Sequence, residues 1–383
     1  MHTAKHVQQL RSSYIREILK AATADGVISL AGGLPAADLF PHMLLQEAML
    51  KVANNRQVFQ YGETRGYAPL LEHLSKTFNL QESHGTLVTT GSQQGLDLIA
   101  RTYLNSEDHI AMEAPSYLGA LQVFTLAQAT INTVPQTPSG PDIKALKQLF
   151  ESRQVKLFYA VPDFHNPTGI SWSLQTRQEV ARLCQTFNVT LIEDAPYRDL
   201  RFFGDDLPLV SSFCPDHSLV LRSSSKTSAP GLRLGSVTGP EEWITHLIRV
   251  KQTSDLHSSL PMQAALLEIL THPGFEQHLC NVRSHYHQRY QALSEAINTH
   301  LQSEVSFTKV EGGMFLWLKL AKGDPMQIAK MALKKGVAIV PGSVFYIEED
   351  IQSPAIRLNF SYCKPEQLAT AIQLLASVIA LPK

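Results

Sequence analysis

The stretch Ser218-Leu219-Val220-Leu221-Arg222-Ser223-Ser224-Ser225-Lys226-Thr227-Ser228-Ala229-Pro230-Gly231-Leu232-Arg233-Leu234-Gly235 places one ammonium among hydroxyls, with another cation seven residues further on. A lone Ser-Lys pair is ordinarily a solvated loop, because lysine is usually exposed. The flanks argue against that reading here. Ser218 to Leu221 and Leu232 to Val237 read as short apolar strands. Lys226 therefore falls on a connection at a sheet edge, where α/β proteins hold their ligands.

Working outward, strand and helix patterns alternate from about residue 85: Leu87-Val88-Thr89 then Ser92 to Leu104, His109 to Met112 then Tyr117 to Ala127, and Lys156 to Val161 then Gln175 to Phe187. Val189 to Ile192 follows, before the strands around Lys226. Repeated β-α units with apolar strands predict a mainly parallel sheet with helices on both faces. After Pro240 the pattern turns helical, with a long charged stretch from Phe275 to about Leu301 that reads as a bridge. A smaller α/β unit follows, and the segment before Pro41 is expected to join it. The expected organisation is a large domain over 41–280 and a small one over 1–40 and 281–383.

At 383 residues, 44% of them hydrophobic and 17% charged, the chain has the composition of a soluble globular protein with room for two domains. Thirty-three basic residues against 34 acidic ones give a net charge of -1, which offers no broad basic surface for nucleic acid. Cys184, Cys214, Cys280 and Cys363 form no Cys-x-x-Cys pair. Neither a zinc site nor a disulfide framework is expected, and reduced thiols in a cytoplasm fit best. No apolar run approaches the ~20 residues that span a bilayer, and the first twenty residues lack the apolar core of a secretory signal.

Several segments could carry chemistry. Gly91-Ser92-Gln93-Gln94-Gly95 follows a strand and opens a helix, so its N–H groups and helix dipole suit a phosphate, although an N-cap at Ser92 would look the same. Asp194, at a strand end in Glu193-Asp194-Ala195-Pro196-Tyr197, could keep a pyridine nitrogen protonated, or could simply be a turn residue. Asn166-Pro167-Thr168-Gly169 offers an amide to a phenolate oxygen and a candidate cis peptide. Tyr117 offers a face for a flat ring. Arg357, alternating with apolar neighbours on a late strand, suits a carboxylate or a structural ion pair. The Lys226 stretch combines an amine able to lose its proton, hydroxyl donors and the Arg233 guanidinium, which is the mixture for condensation with an aldehyde beside a phosphate. That is the chemistry of a pyridoxal phosphate site.

The order and separation of these segments resemble the class I/II aminotransferases among the fold type I pyridoxal phosphate enzymes, from about Ile15 to the C-terminus. Ile15-Arg16-Glu17-Ile18-Leu19, Ile28 to Pro35 and Tyr61-Gly62-Glu63-Thr64-Arg65-Gly66-Tyr67 look most like the 2-aminoadipate and kynurenine branch. The resemblance implies an α/β fold with a mainly parallel seven-stranded sheet, and ping-pong transfer of an amino group from an L-amino acid to a 2-oxo acid through an aldimine on Lys226. It implies that Asp194 pairs with the pyridine nitrogen and that Asn166 and Tyr197 bond the ring oxygen. Ser92, Gln93, Ser223, Ser225 and Arg233 would hold the phosphate, and Tyr117 would stack on the ring. Arg357, with Asn166 and Gly33, would take the substrate α-carboxylate. Tyr61 would reach the phosphate of a neighbouring subunit, which implies a homodimer with shared sites. Arg16 matches a position that contacts the distal end of acidic substrates.

Asp163-Phe164-His165 departs from the uncharged residues expected there. Facing the pocket, Asp163 and His165 would favour a polar or cationic substrate; set behind it, they only tune packing. A pyridoxal phosphate lyase or decarboxylase would use the same cofactor residues, and Arg357 favours transamination over both. An aminotransferase-like regulator needs an N-terminal DNA-binding domain, whereas about forty residues precede the core. A non-catalytic scaffold would not need every cofactor position filled.

Overall fold

The computed structural model describes residues 2–8, 18, 26–347 and 353–379. After a two-residue strand, β1 (Ile28–Ser29), the large sheet is built from β2 (His84–Thr89), β3 (His109–Ala114), β4 (Thr130–Thr137), β5 (Gly140–Pro141), β6 (Val155–Ala160), β7 (Thr190–Asp194), β8 (Ser218–Ser223) and β9 (Gly235–Pro240). Their spatial order is β2-β9-β8-β7-β6-β3-β4-β5. β9 is antiparallel to both neighbours, and the pairings from β8 through β7, β6 and β3 to β4 are parallel. The expected seven strands are therefore present, and the two-residue β5 adds an antiparallel extension beyond β4.

Alternation along β6 shows why the sheet is covered twice. Leu157 and Tyr159 enter one apolar cluster, while Phe158 and Ala160 enter another with Val180 and Leu183 of the helix Leu174–Phe187. Period-2 side chains on a strand buried on both faces require this. Parallel strands also point their carboxyl ends to one edge. The loops after β2, β3, β6, β7 and β8 emerge there, and because β9 runs the other way, the residues entering it start from the same edge.

A second sheet has the order β10-β11-β14-β13, formed by β10 (Val305–Phe307), β11 (Phe315–Leu320), β13 (Val340–Pro341) and β14 (Ala355–Asn359), all antiparallel. β1 pairs in parallel with β12 (Val337–Ala338), which brings residues 28–29 to the C-terminal part of the chain. The helix Phe275–His300 packs along the helix Pro365–Ile379. Among the described residues no helix is long and apolar enough to cross a membrane.

The helix Ser92–Tyr103 lies close on β8 and β9 because residue 95 has no side chain. A Cβ at Gly95 would stand 2.7 Å from Val237 and 2.9 Å from Leu221. Gly95→Val is expected to lower unfolding free energy by about 1–3 kcal/mol in urea titration, the usual cost of overpacking. It should also loosen retention of any ligand at that helix's N-terminus; a variant as stable as wild type would show that the helix can shift freely.

Candidate active site

The loops at the carboxyl edge enclose a cavity of about 140 Å³ lined by Ser92, Gln93, Tyr117, Asn166, Asp194, Tyr197, Ser223, Ser225, Lys226 and Arg233, with Gly91, Tyr159, Val161 and Pro196. It adjoins a second space, shared through Lys226, Asn166 and Tyr197, whose walls include Gly33, Gln122, Phe345 and Arg357. Every cofactor position expected from the sequence is thus brought together except Tyr61, which stands 80% exposed. Tyr61 touches His257 edge-on, with ring centroids 5.9 Å apart. Arg16 lies outside the described residues.

At the end of the cavity nearest Arg233, β2 stops in the turn Thr90-Gly91. Gly91 has φ of 77°, a backbone region that favours glycine, and a Cβ there would lie 2.8 Å from the Arg233 guanidinium. This turn aims the free N–H groups opening the helix Ser92–Tyr103 at the cavity. Its underside is fixed by polar contacts: Thr90 N–H donates to Gln94 Oε1 (2.7 Å), and the buried Lys251 Nζ donates to Gln94 Oε1 (3.1 Å), Asp255 (2.8 Å) and Ser258 (3.1 Å). Ser223 Oγ accepts from the Ser225 N–H at 3.3 Å, and Arg233 holds a left-handed φ of 53° as it leaves the short turn before β9.

In the centre, Tyr117 donates to Gln93 Oε1 at 3.1 Å, and burial pushes its phenol up to about 12. Asp194 is buried at the end of β7. Its Oδ2 accepts from Tyr159 at 2.8 Å, while its Oδ1 has no partner although it is shut from solvent. Burial raises this carboxyl to about 7, against the opposing Tyr159 bond. Burial also raises the Tyr197 phenol, with Tyr117 and Asp194 adding to it and the Asn166 amide working against it.

At the far side, Arg357 on β14 is buried, donating through Nη1 to Asn166 Oδ1 at 2.8 Å and through Nη2 to Ala31 O, with Nε unpartnered. Its guanidinium lies 4.5 Å from the Phe315 ring and 5.0 Å from the Phe345 ring. Burial brings it down to about 10. Lys226 Nζ donates to Gly33 O at 2.9 Å. Burial, then the cations Arg233 and Arg357, lower its amine to about 8.

Three features fit pyridoxal phosphate. An amine with a depressed pKa faces the cavity, a helix N-terminus with an arginine is set for a dianion, and an unpartnered buried carboxylate oxygen awaits a cationic N–H.

The family model for aminotransferase class I and II matches residues 25–375. The chain belongs to this family. It is 33% identical over 382 residues to the 2-aminoadipate transaminase of Thermus thermophilus, covering 98% of this chain and 96% of that protein. The multiple substrate aminotransferase of Thermococcus profundus superposes with a TM-score of 0.94 at 32% identity, over 98% of this chain and 97% of that one. An alpha-aminoadipate aminotransferase from Thermus thermophilus, complexed with N-(5'-phosphopyridoxyl)-L-leucine, superposes with a TM-score of 0.92 at 32% identity, over 98% and 97% of the two chains. The protein is a pyridoxal phosphate-dependent aminotransferase, and the lyase alternative is not favoured.

Within this aminotransferase, Asp163 and His165 stand behind the cavity. Asp163 is 1% exposed and paired with Arg177 at 2.6 Å. His165 is buried, bonded to Thr168 Oγ1 at 3.0 Å, and held down to about 3 by burial, so its ring is neutral. Asn166-Pro167 is cis, as is Ala114-Pro115, which the sequence reading did not single out. Tyr159 was also missed; it sits in β6 beside β7, so that its hydroxyl meets Asp194, but in the sequence it reads as a core aromatic.

The pKa of Lys226 fixes the sign of a pH effect. Its amine is charged below about 8 and free above it, whereas an ordinary lysine would stay charged to about 10.5. Covalent uptake of pyridoxal phosphate by the apoprotein, followed by visible absorbance, should accelerate as pH rises through about 8 and then level off. A rate still climbing towards pH 10 would mean the amine is not perturbed.

Proposed function

We propose that the enzyme moves the amino group of an L-amino acid with a long side chain, acidic or aromatic, onto a 2-oxo acid, using Lys226 as its proton carrier. The observation that carries this reading is the placement of Lys226 Nζ and the Arg357 guanidinium on one cavity, with Asn166 touching Arg357 and lining the same space. An amine and a carboxylate clamp so arranged suit an α-amino acid, and the space beyond them leaves room for a side chain. The naming of a relative as a 2-aminoadipate transaminase supports an acidic donor, with Arg16 as the residue to meet its distal carboxylate.

When bound, pyridoxal phosphate supplies a conjugated ring that draws in the electron pair released at the substrate Cα. The protein's part is positional and electrostatic. Ser92, Gln93, Ser223, Ser225 and Arg233 would hold the phosphate, and Tyr117 would pack on the ring face. Asp194 would hold a proton on the pyridine nitrogen, its carboxylate ionised by that cation and steadied by Tyr159. Asn166 and Tyr197 would bond the ring oxygen, and Arg357 would orient the α-carboxylate in bidentate fashion. Lys226, once displaced by the substrate amine, would be neutral for a useful fraction of the time near pH 8 and take the proton from Cα. The same amine, within reach of both sides of the transferred nitrogen, would also deliver the proton to the cofactor's aldehyde carbon, a local transfer in place of a bimolecular one.

We further propose a cytoplasmic homodimer and the division into domains 41–280 and 1–40 with 281–383. Unpaired thiols at Cys184, Cys214, Cys280 and Cys363 support a reducing compartment. Met43, Leu50, Phe59 and Tyr61 are exposed in the segment 43–61, an apolar surface of the kind subunits cover. The pairing of β1 with β12 supports the assignment of both chain ends to the small domain.

A panel of L-amino acids with 2-oxoglutarate or pyruvate tests the activity. Acidic and aromatic donors should change the absorbance of the bound cofactor and yield product, and Arg357→Ala should weaken all of them; response to no donor would send the assignment to elimination chemistry. For the dimer, mixing inactive Lys226→Ala chains with inactive Tyr61→Ala chains should restore about a quarter of the wild-type activity, since half of the random pairs carry one complete shared site. No recovery would mean that Tyr61 does not act across subunits.

A further inference from the structure

Asp163 is a buried carboxylate that the mechanism does not use, and three guanidinium groups converge on it. Arg177 from the helix Leu174–Phe187 donates to Oδ1 at 2.6 Å, Arg198 donates to Oδ2 at 3.3 Å, and Arg201 approaches Oδ1 at 3.6 Å. Each arm ends near a different part of the site. Asp163 itself lies three residues before Asn166 in the same buried loop, and Arg177 clamps that loop by donating to Pro162 O and Trp172 O at 3.2 Å. Arg198 is the residue after Tyr197, and its other donor holds Leu207 O at 2.6 Å.

Arg201 reaches the C-terminal part of the chain. It pairs with Glu311 at 2.7 Å, forms a backbone bridge to Gly312, and lies 4.8 Å from the ring of Phe164. Phe164 packs so closely on Gly312 that a Cβ there would stand 2.4 Å from its ring. The segment 311–314 runs straight into β11, where Trp317 is in register with Arg357 of β14. One carboxylate therefore ties together the backbone carrying Asn166, the turn carrying Tyr197 and the approach to the strand pair carrying Arg357.

We propose that Asp163 is a positioning residue that sets Asn166, Tyr197 and Arg357 relative to one another, and so controls grip on the α-carboxylate shared by all amino-acid substrates, not choice among side chains. This rests on the roles proposed above for those three residues. Loss of the Asp163 charge leaves the fully buried Arg177 without its anion and takes the shared partner from Arg201, which keeps Glu311, and from the part-exposed Arg198, so the loops that these side chains anchor are no longer drawn together. Misplacement of a clamp by a fraction of an ångström is enough to lower turnover at subsaturating substrate.

The test uses the holoenzyme with Asp163→Asn, and with Arg201→Met, which cuts a single arm should the first variant not fold. KM and kcat are measured for acidic, aromatic, aliphatic and basic donors, together with the pH midpoint of the bound cofactor's visible absorbance. The expected result is a KM raised by a common factor of roughly tenfold across donors, with kcat changed less. The absorbance midpoint should move to higher pH, because looser Asn166 and Tyr197 contacts stabilise the ring oxygen's negative charge less. Arg201→Met should move both readouts the same way by less, and Asp163→Glu should recover part of the loss. A KM change confined to basic donors would overturn the proposal in favour of a direct specificity role. Unchanged KM and midpoint with only a lower melting temperature would reduce Asp163 to a structural ion-pair centre. If the wild type accepts no donor, the functional reading fails by itself, while the absorbance midpoint still reports on the Asp163 network.

Discussion

Charge in a closed space governs this structure. Lys226, Arg233 and Arg357 share the walls of adjoining cavities with one carboxylate, Asp194, whose own ionisation burial resists. Burying cations without matching anions is costly, and the cost appears as depressed basicity: Lys226 comes down to about 8 and Arg357 to about 10. In the roles proposed for Arg233 and Arg357, a phosphate dianion and a substrate carboxylate would supply the missing negative charge. That imbalance is what would make the site receptive to an aldehyde phosphate and an amino acid.

The sheet makes that concentration of charge possible. Five parallel strands, with β2 running the same way, end on one edge, and the reversed β9 delivers Arg233 to that edge as well. Residues far apart in sequence then meet without long loops. Helix Ser92–Tyr103 adds its N-terminus because Gly95 lets it press against β8 and β9. The substrate-facing side is completed from elsewhere, by Arg357 on the small sheet and Gly33 near β1. Lys226, in the turn after β8 of the large sheet, and Arg357, on the small sheet, are therefore held by different sheets, and their separation depends on what joins them.

Much of this was legible in the chain. The β-α alternation gives the parallel sheet; Gly91-Ser92, Asp194, Ser223, Ser225, Lys226 and Arg233 fall at or just beyond strand ends and Asn166 in the loop after β6, where local pattern and chemistry coincide, and Arg357 stands out as a charge alternating with apolar residues within β14. Tyr159 was not legible in the same way, since an aromatic residue inside an apolar strand is indistinguishable from core until its hydroxyl is seen on Asp194. The destination of Asp163 and His165 also depended on tertiary placement, because loop residues have no period to say which side they face. The position of Arg177 on its helix gives no hint of a partner fourteen residues earlier. Long-range ion pairs leave almost no local signature.

The direction of Arg357 shows how the two kinds of information combine. Alternation on β14 makes it inward, and an inward arginine is either a ligand group or half of an ion pair. The structure removes the second possibility among the described residues: Arg357 bonds an amide oxygen and a carbonyl, lies beside two rings and leaves Nε unpartnered, with no carboxylate in contact. Neutral acceptors orient a guanidinium without satisfying its charge. A bound carboxylate, the role proposed for this residue, would satisfy it, and Asn166 already holds Nη1 in place. Preorganisation of this kind lowers the entropic cost of binding an amino acid, whatever its side chain.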